Sequence, residues 1–196
     1  SLLILSRIEL VSFSHSLFSV YEENKRITFH FETNKAKIYA DMDAIKLGVI
    51  LDNLLSNAVK FTPDGGSVRL SLFYREETEL LDICVSDTGT GIPQQDIPYI
   101  FQRFFQSPHS GNKEGTGIGL YLVKTYTELH GGHINGVTSN EGKGTSIGLN
   151  IPVIAVEKEE IPATQVKKQL ESLPVLKPIE AESQDEKFLS NIIRLI

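Results

Sequence analysis

The alternation of apolar and polar positions predicts a chain built from both strands and helices. Residues 27–31 alternate between apolar and polar side chains, which is the period of a half-buried strand. A short second strand is predicted at 38–40, and Asp41 then has the chemistry of a helix N-cap. The helix that follows runs to about Lys60, and Pro63 with two glycines ends it. Its apolar face is broad and consists of Ile45, Val49, Leu51, Leu54, Leu55, Ala58 and Val59.

The second half of the chain has the same mixture of elements. The segment 87–115 is rich in glycine, proline and polar residues, and we predict mostly loop there, with a short helix near 98–105. Thr116 to Leu129 has the period of an amphipathic helix. Its predicted inward positions are Ile118, Leu122, Val123, Tyr126 and Leu129. Further strands are predicted near 68–72, 81–85, 133–138 and 145–151.

Shifts in composition divide the chain into three parts. Residues 1–24 are predicted to be helical and then irregular, and we interpret them as the end of a longer helix and a linker. Residues 25–152 carry the elements described above and form the predicted domain. Residues 153–196 contain many charges and no glycine, and we predict a linker that leads to the start of a following helical element. We therefore expect the chain to be part of a larger protein.

Composition and charge exclude some classes of function. With 40% hydrophobic and 22% charged residues among 196, the chain can bury a core and is typical of a globular protein. Its formal net charge of −6 argues against direct nucleic-acid binding, because phosphate backbones attract basic surfaces. Cys84 is the only cysteine, so no disulfide framework is expected, which favours a reducing compartment. No apolar run approaches the roughly 20 residues of a membrane-spanning helix.

Two amides and a cation share one face of the first long helix. Asn53 and Asn57 are four residues apart and Lys60 follows three later, so the three side chains lie above one another. Amide oxygens suit Mg²⁺, which is usually held by few protein groups together with substrate phosphates. Lys60 could meet phosphate oxygens as a point charge. The alternative is a solvated polar stripe on an amphipathic helix, and these residues alone do not exclude it.

An acidic residue follows the predicted strand 81–85 in the sequence DTGTGIP. The carboxylate of Asp87 could accept a hydrogen bond from an exocyclic amine such as that of adenine. Gly89 and Gly91 would allow the backbone to approach the ring. The alternative is an Asp-containing turn that caps the strand.

A third glycine-rich segment, GTGIGLYLVK, lies where a loop becomes the second long helix. Free N–H groups at a helix start bind phosphate, which gives Gly115, Gly117 and Gly119 a possible role. A P-loop is excluded because the nearest candidate, GKGT, has Gly144 after its lysine. A dinucleotide fingerprint is excluded because a polar loop, not a strand, precedes the glycines.

The segment between these glycine motifs contributes a second cation. Arg103 lies among phenylalanines in IFQRFF, and its guanidinium could brace phosphate oxygens during transfer. The residues from 106 to 114 are small and polar and have the composition of a lid that orders on ligand binding.

The order of these motifs from about residue 25 to Pro152 resembles the catalytic and ATP-binding domain of sensor histidine kinases. That domain belongs to an ATPase superfamily shared with gyrase B subunits, MutL repair proteins and heat-shock chaperones. The asparagine box, the first glycine box, the phenylalanine box and the second glycine box all appear in the family's order. The resemblance implies an α/β (α+β) two-layer sandwich of the Bergerat type, with a mixed sheet of about five strands and helices on one face.

The resemblance also implies roles for individual residues, with ATP and Mg²⁺ as the bound groups. Asn57 would ligate Mg²⁺ beside Asn53, Lys60 would touch phosphate, and Arg103 would neutralise charge during transfer. Asp87 would bind adenine. The other implied nucleotide-binding residues are Gly89, Gly91, Ile92, Gly115, Thr116, Gly117, Ile118, Gly119 and Leu120.

A kinase of this family transfers the γ-phosphoryl group to a histidine on a separate dimerisation domain. That histidine is followed by an acidic residue and by a proline three residues further on, and none of His15, His30, His109, His130 and His133 fits. We therefore predict that this fragment binds Mg·ATP without phosphorylating itself. The implied partners are the dimerisation domain of the same, homodimeric protein and a response-regulator receiver domain. The resemblance also implies that residues 1–24 are the end of the dimerisation helix and its linker. The implied location is the cytoplasmic part of a membrane-bound sensor.

Two other functions remain open from the sequence. A hydrolysing module of the gyrase or MutL type needs an acidic residue to activate water, and the first long helix offers Asp52 and Asn53 at the nearest positions. A scaffold that has lost nucleotide binding would show a degraded motif. No degraded motif is found, so the kinase interpretation is preferred.

Overall fold

The structure is a computed structural model that describes residue 3 and the ranges 5–22, 26–108 and 115–153. It contains three α-helices within these ranges: α1 (Leu10–Glu22), α2 (Ala44–Phe61) and α3 (Gly119–Leu129). The strands in the same ranges are β1 (Ser6–Glu9), β2 (Thr28–Thr33), β3 (Tyr39–Met42), β4 (Ser67–Arg75), β5 (Leu80–Asp87), β6 (His133–Asn140) and β7 (Gly144–Pro152). The predicted linker and helical element after residue 153 lie outside the described residues.

Five strands form one mixed sheet in the order β2-β4-β5-β7-β6. β2 runs parallel to β4, and the other neighbours are antiparallel. Alternate residues of the central strands are buried, because one face of the sheet packs against the helices. The predicted two-layer sandwich is therefore confirmed. The buried sheet residues include Val68, Leu70, Leu72, Leu81, Ile83, Val85, Leu149 and Ile151.

The helix α2 lies at the centre of the core. Leu47, Ile50, Leu51 and Leu55 are fully buried, and α2 packs against both other helices and against β4 and β5. The predicted N-cap, Asp41, lies instead in β3, where its carboxylate pairs with Arg7.

The N-cap of α2 is Asp43, two residues later, whose Oδ1 accepts a 3.0 Å hydrogen bond from the N–H of Lys46. The difference arises because β3 continues through Met42 to pair with β1. At the other end, the hydroxyl of Thr62 donates to the carbonyl of Ala58 and ends the helix before Pro63.

Residues 1–24 were predicted to begin as a helix and then become irregular, but the first described residues form a strand instead. β1 forms a separate two-stranded sheet with β3, and only then does α1 begin. Glu9 sets this boundary, because its carboxylate accepts hydrogen bonds from Val11 and Ser12 at the start of α1 and from Ile38. Burial raises the pKa of Glu9, but these hydrogen bonds outweigh it and lower the pKa overall.

The helix α1 shares the core of the predicted domain. Leu10, Leu17 and Phe18 are almost fully buried, and the ring of Phe18 lies edge-on to that of Phe29 with centroids 5.5 Å apart. Residues 10–18 therefore pack with the sheet and α2 and contribute to one hydrophobic cluster.

The loop before α3 also differs from the prediction. The short helix expected near 98–105 is reduced to one 3-10 turn at Ile97–Tyr99. Phe104 has a φ of +66° and its N–H donates to Gly117, so helical geometry cannot continue through it. Gly117 has a φ of +67°, and α3 accordingly begins at Gly119 and not at Thr116. Leu129, predicted to face inward, is 37% exposed at the end of α3.

Within the described ranges, no helix combines the length and the hydropathy that a membrane span requires.

Candidate functional site

A cavity of about 1040 Å³ lies between α2, the adjoining ends of β5 and β7, and the start of α3. Most of the residues proposed from the sequence line it. They are Asn53, Asn57, Lys60, Asp87, Gly91, Ile92, Gly115, Thr116, Gly117, Gly119 and Leu120. The polar motifs at α2, at the end of β5 and at the start of α3, which lie far apart in the sequence, therefore meet at one cavity.

One wall of the cavity is apolar. Leu54 and Ala58 reach it from α2, Val85 and Ile147 from the sheet, and Ile100 from the loop before α3. These side chains belong to elements whose neighbouring residues form the buried core. The wall can therefore receive a flat aromatic ring, while polar groups remain at its edge.

Asp87 is the polar group at the end of β5. Its Oδ1 accepts hydrogen bonds from the N–H of Gly89 at 2.8 Å and from the N–H of Thr145 at 3.2 Å. Its Oδ2 forms no hydrogen bond within the described part of the chain. Burial raises the pKa of Asp87 and the two hydrogen bonds lower it, with burial the larger effect. The carboxylate is thus held in one orientation with one acceptor oxygen left for a ligand.

Close backbone packing fixes the turn that follows Asp87. Gly91 has a φ of +75°, and a Cβ there would lie 2.1 Å from the carbonyl oxygen of Asn140. Gly89 does not line the cavity, but a Cβ on it would lie 2.5 Å from the carbonyl oxygen of Phe61. Its function in the structure is therefore to bring the Asp87 turn against the end of α2.

The face of α2 carries the predicted amides and cation into the cavity. The Nδ2 of Asn53 donates a 2.7 Å hydrogen bond to the carbonyl of Val49, which orients its Oδ1 toward the start of α3. The side chain of Asn57 forms no hydrogen bond to another described residue. Lys60 lies with its Nζ 5.2 Å from the ring centroid of Phe61 and close to Gly115.

The start of α3 closes the cavity opposite α2. A Cβ on Gly117 would lie 2.6 Å from the carbonyl carbon of Phe104, and one on Gly119 would lie 2.5 Å from Oδ1 of Asn53. Gly117 is therefore required by contact and by its left-handed conformation, whereas a side chain at position 119 would have to displace the amide of Asn53. The free N–H groups of this helix start face a cavity that also contains Lys60, which suits an anionic ligand.

Besides Gly89, two more predicted residues lie outside the cavity lining. Arg103 is exposed, and its guanidinium lies over the ring of Phe104 at 4.6 Å from the centroid. Ile118 is the residue before α3 and is half-buried. The roles proposed for them stay predictions.

The contribution of the β6–β7 hairpin to the site was not predicted from the sequence. Thr145 and Glu141 line the cavity, and Ser139 holds the hairpin against the Asp87 turn by accepting a 2.7 Å hydrogen bond from the N–H of Ile92. Gly144 packs beside them, since a Cβ there would lie 1.9 Å from the carbonyl oxygen of Asp87. The motif GKGT was the signal for this hairpin in the sequence, and no residue of it was assigned there to the site.

Asp52, the acidic candidate for activating water, does not line the cavity. Its carboxylate accepts a hydrogen bond from the hydroxyl of Tyr21 on α1. The adjoining residue Asn53 does line the cavity, but an amide cannot serve as a general base.

The cavity has a hydrogen-bond acceptor at the edge of an apolar wall, amides and a lysine on one helix, and a glycine turn at the start of another. This combination defines a nucleotide-binding α/β sandwich. The chain belongs to the family described as histidine kinase-, DNA gyrase B-, and HSP90-like ATPase, whose model matches residues 42–155. The family predicted from the order of the motifs is therefore confirmed.

Within this family, the curated proteins similar to the chain include sensor histidine kinases. The chain is 38% identical over 149 residues to sensor histidine kinase WalK of Bacillus subtilis (strain 168), a match that covers 74% of this chain and 24% of WalK. It is 41% identical over 144 residues to sensor histidine kinase TmoS of Ectopseudomonas mendocina, covering 72% of this chain and 14% of TmoS. The chain thus spans a quarter or less of the length of these relatives.

A solved structure shows the same fold. The mycobacterial sensor histidine kinase MprB superimposes with a TM-score of 0.65 at 27% identity, over 78% of this chain and all of that chain. The chain is therefore similar over its described domain to the catalytic domain of sensor histidine kinases.

Proposed function

We propose that this chain is the ATP-binding catalytic domain of a two-component sensor histidine kinase. The observation that carries the proposal is the arrangement of Asp87. One of its carboxylate oxygens is held by Gly89 and Thr145, and the other is left to accept from a 6-amino purine. The apolar wall beside it would bury the faces of the base, and the glycines and Lys60 would hold the phosphates.

The residues present fit a Mg²⁺ ion that arrives with the nucleotide. Asn57 lines the cavity with an amide that no other described residue engages, and an amide oxygen is a suitable hard ligand. No cluster of three His, Cys, Asp or Glu side chains that could hold a metal by itself occurs in the described ranges. We infer that Asn57 supplies one ligand beside the phosphates. The ion would neutralise charge on the transferring group.

The chain's own residues would act by positioning and electrostatics. Asp87 would hold the base, and Lys60 with the N–H groups at the start of α3 would bind phosphate oxygens. The γ-phosphoryl group would pass to a histidine nitrogen of the dimerisation domain. That nitrogen would lose its proton, and ADP would leave. Arg103 would contribute only if the loop that carries it turns toward the phosphates.

The partners follow from this reaction. We infer a dimerisation domain that carries the phosphorylated histidine and a receiver domain that takes the phosphoryl group from it. We also infer a cytoplasmic position in a homodimeric sensor anchored in a membrane. The absence of a fitting histidine among the five supports transfer to a domain beyond this sequence.

The alternative is a hydrolysing module like those of gyrase or MutL. The position of Asp52 does not favour it, since its carboxylate is engaged by Tyr21 and lies away from the cavity. The kinase interpretation needs no general base on α2, because the attacking group is an imidazole.

Binding of nucleotide tests the first part of the proposal. We would titrate the chain calorimetrically with ADP and with a non-hydrolysable ATP analogue, with and without Mg²⁺. Asp87→Asn keeps an oxygen for Gly89 and Thr145 but turns an NH₂ group toward the amine of the base, so ADP affinity should fall at least about tenfold. The matched control is Asp82→Asn, which removes a charge from the same strand outside the cavity.

Unchanged binding in Asp87→Asn, or the same loss in both variants, would contradict the proposed site. Phosphoryl transfer is tested with ATP labelled at the γ-phosphate. We expect no label on the chain alone and label on an added dimerisation domain that carries a histidine. Stable label on the chain alone would contradict the proposed division of labour.

A further inference from the structure

Gln106 joins two segments of the chain at the edge of the cavity. Its Nε2 donates a 2.7 Å hydrogen bond to the carbonyl oxygen of Gly115, and both residues line the cavity. Two positions away on each segment, the N–H of Phe104 donates a 2.8 Å hydrogen bond to the carbonyl of Gly117. The two bonds therefore follow an antiparallel register, in which a side chain supplies the second bond.

The bond from Gln106 fixes the peptide group that joins Gly115 to Thr116. A trans peptide is planar, so its C=O and N–H groups point to opposite sides of the chain. While Gln106 holds the carbonyl of Gly115, the N–H of Thr116 therefore points away from Gln106. Gly115 has no side chain that would restrict the rotation of this peptide. Within the described part of the chain, Gln106 is the hydrogen-bond donor that holds its carbonyl.

The N–H of Thr116 forms no hydrogen bond to another described residue, and Thr116 lines the cavity. Lys60 lies close to the same peptide, since its Nζ would be 3.2 Å from a Cβ on Gly115. A carbonyl released by Gln106 would be attracted to this ammonium group, and the rotation would turn the N–H of Thr116 to a new direction. An N–H and an ammonium group at one end of a cavity suit the oxygens of a diphosphate.

We propose that Gln106 is a positioning residue that holds the carbonyl of Gly115 and thereby keeps the N–H of Thr116 directed at the phosphates of the nucleotide. The inference rests on the proposed function, because it concerns the phosphate end of the same nucleotide site. Gln106 acts here through the backbone. The competing explanation is direct contact of its amide with a phosphate oxygen.

Calorimetric titration with ADP and with adenosine separates the phosphates from the base. Gln106→Met keeps the length of the side chain and removes the donor. Its affinity for ADP with Mg²⁺ should fall about tenfold, the scale of one hydrogen bond to a charged group, while its affinity for adenosine should stay within about twofold of the wild type. Gln102→Met is the matched control and should keep both affinities, since Gln102 is exposed in the same segment and does not line the cavity.

The amide resonance of Thr116 in a proton–nitrogen correlation spectrum reports on the backbone directly. In the wild type, ADP with Mg²⁺ should move the amide proton of Thr116 downfield, because it then donates to a phosphate oxygen. In Gln106→Met at saturating ADP, most of this shift should be lost. A full shift in Gln106→Met, together with weakened ADP binding, would assign Gln106 to direct phosphate contact and overturn the inference.

Removing the N–H itself gives a second test. An ester in place of the amide between Gly115 and Thr116 should weaken ADP binding by a similar factor. Adding Gln106→Met to the ester should then weaken it little further, because both changes act on one donor. Additive losses would show that Gln106 acts independently of this peptide.

The outcomes separate this inference from the proposed function. A wild-type chain that binds ADP, with unchanged affinity in Gln106→Met, would overturn this inference alone. A loss of ADP and adenosine affinity by the same factor in Gln106→Met would show that Gln106 only supports the shape of the cavity. A wild-type chain that binds neither ligand would overturn the proposed function as well.

Discussion

The backbone N–H of Thr145 donates a 3.2 Å hydrogen bond to Oδ1 of Asp87, across 58 positions of sequence. The pairing of β5 with β7 makes this possible, because Val85 and Ser86 lie opposite Ile147 and Ser146. The carboxylate is held from two sides, by its own turn and by a second strand. It therefore keeps one orientation before any ligand arrives, which lowers the entropy that binding must overcome.

The first prediction concerns the stability of the ligand-free protein against pH. Burial raises the folded-state pKa of Asp87 above its usual value, so between the unfolded and the folded pKa the folded protein holds a proton that the unfolded chain has lost. The free energy of unfolding therefore falls as the pH rises from the pKa of Asp87 in the unfolded chain to its pKa in the folded protein. Asp87→Asn lacks this titration, so the variant should be more stable than the wild type at neutral pH.

Denaturant unfolding at a series of pH values checks this prediction. The difference in free energy of unfolding between the wild type and Asp87→Asn should shrink as the pH falls toward the pKa of Asp87 in the unfolded chain. A variant that is less stable than the wild type at neutral pH would contradict it. Together with lost ADP binding, the expected result would mean that the site carries a cost in stability.

The second prediction concerns Gly117. Gly117→Ala forces a Cβ against the backbone of Phe104 at a φ of +67°, so it should destabilise the start of α3 and weaken ADP binding. Gly65→Ala is the control, because Gly65 has a φ of +84° and nothing lies within 4 Å of its Cβ position. The left-handed conformation alone costs about 1–2 kcal/mol.

Thermal unfolding and ADP titration of both variants separate the two effects. Gly65→Ala should lose stability on that scale and keep its ADP affinity. Gly117→Ala should lose more stability and bind ADP at least about tenfold more weakly, a difference of about 1.4 kcal/mol. Equal behaviour of the two variants would mean that the contact with Phe104 has no consequence for the site.

The third prediction concerns Asp52. Because this carboxylate is engaged by Tyr21 outside the cavity, Asp52→Asn should leave ADP affinity and any slow ATP hydrolysis within about twofold of the wild type. Release of inorganic phosphate from ATP measures the hydrolysis. A loss of hydrolysis with retained binding would instead favour the hydrolysing module.

The fourth prediction concerns Asn57 and Mg²⁺. If the amide of Asn57 is a ligand of the ion, Asn57→Ala should abolish most of the affinity that Mg²⁺ adds for a non-hydrolysable ATP analogue. Titrations with a chelator that removes Mg²⁺ provide the internal control, since without the ion the affinity of Asn57→Ala for the analogue should differ little from that of the wild type. A loss of the same size with and without Mg²⁺ would assign Asn57 to the nucleotide itself.

The sequence by itself determined the local elements and the chemistry that each one carries. The residue pattern predicted β2, β4 to β7 and a short strand that overlaps β3. The spacing of Asn53, Asn57 and Lys60 put all three on one face of α2. Both kinds of pattern depend only on near neighbours in the chain. The order of the motifs was enough to identify the family.

Tertiary structure decided everything that depends on pairing between distant segments. β1 could not be predicted, since its partner β3 lies more than 30 residues away and its own four residues have no clear period. The contacts of Asp87 with Thr145 and of Ile92 with Ser139 likewise exist only through sheet register. A hydrogen bond between two strands is fixed by their alignment, and no local pattern specifies which residues that alignment brings together.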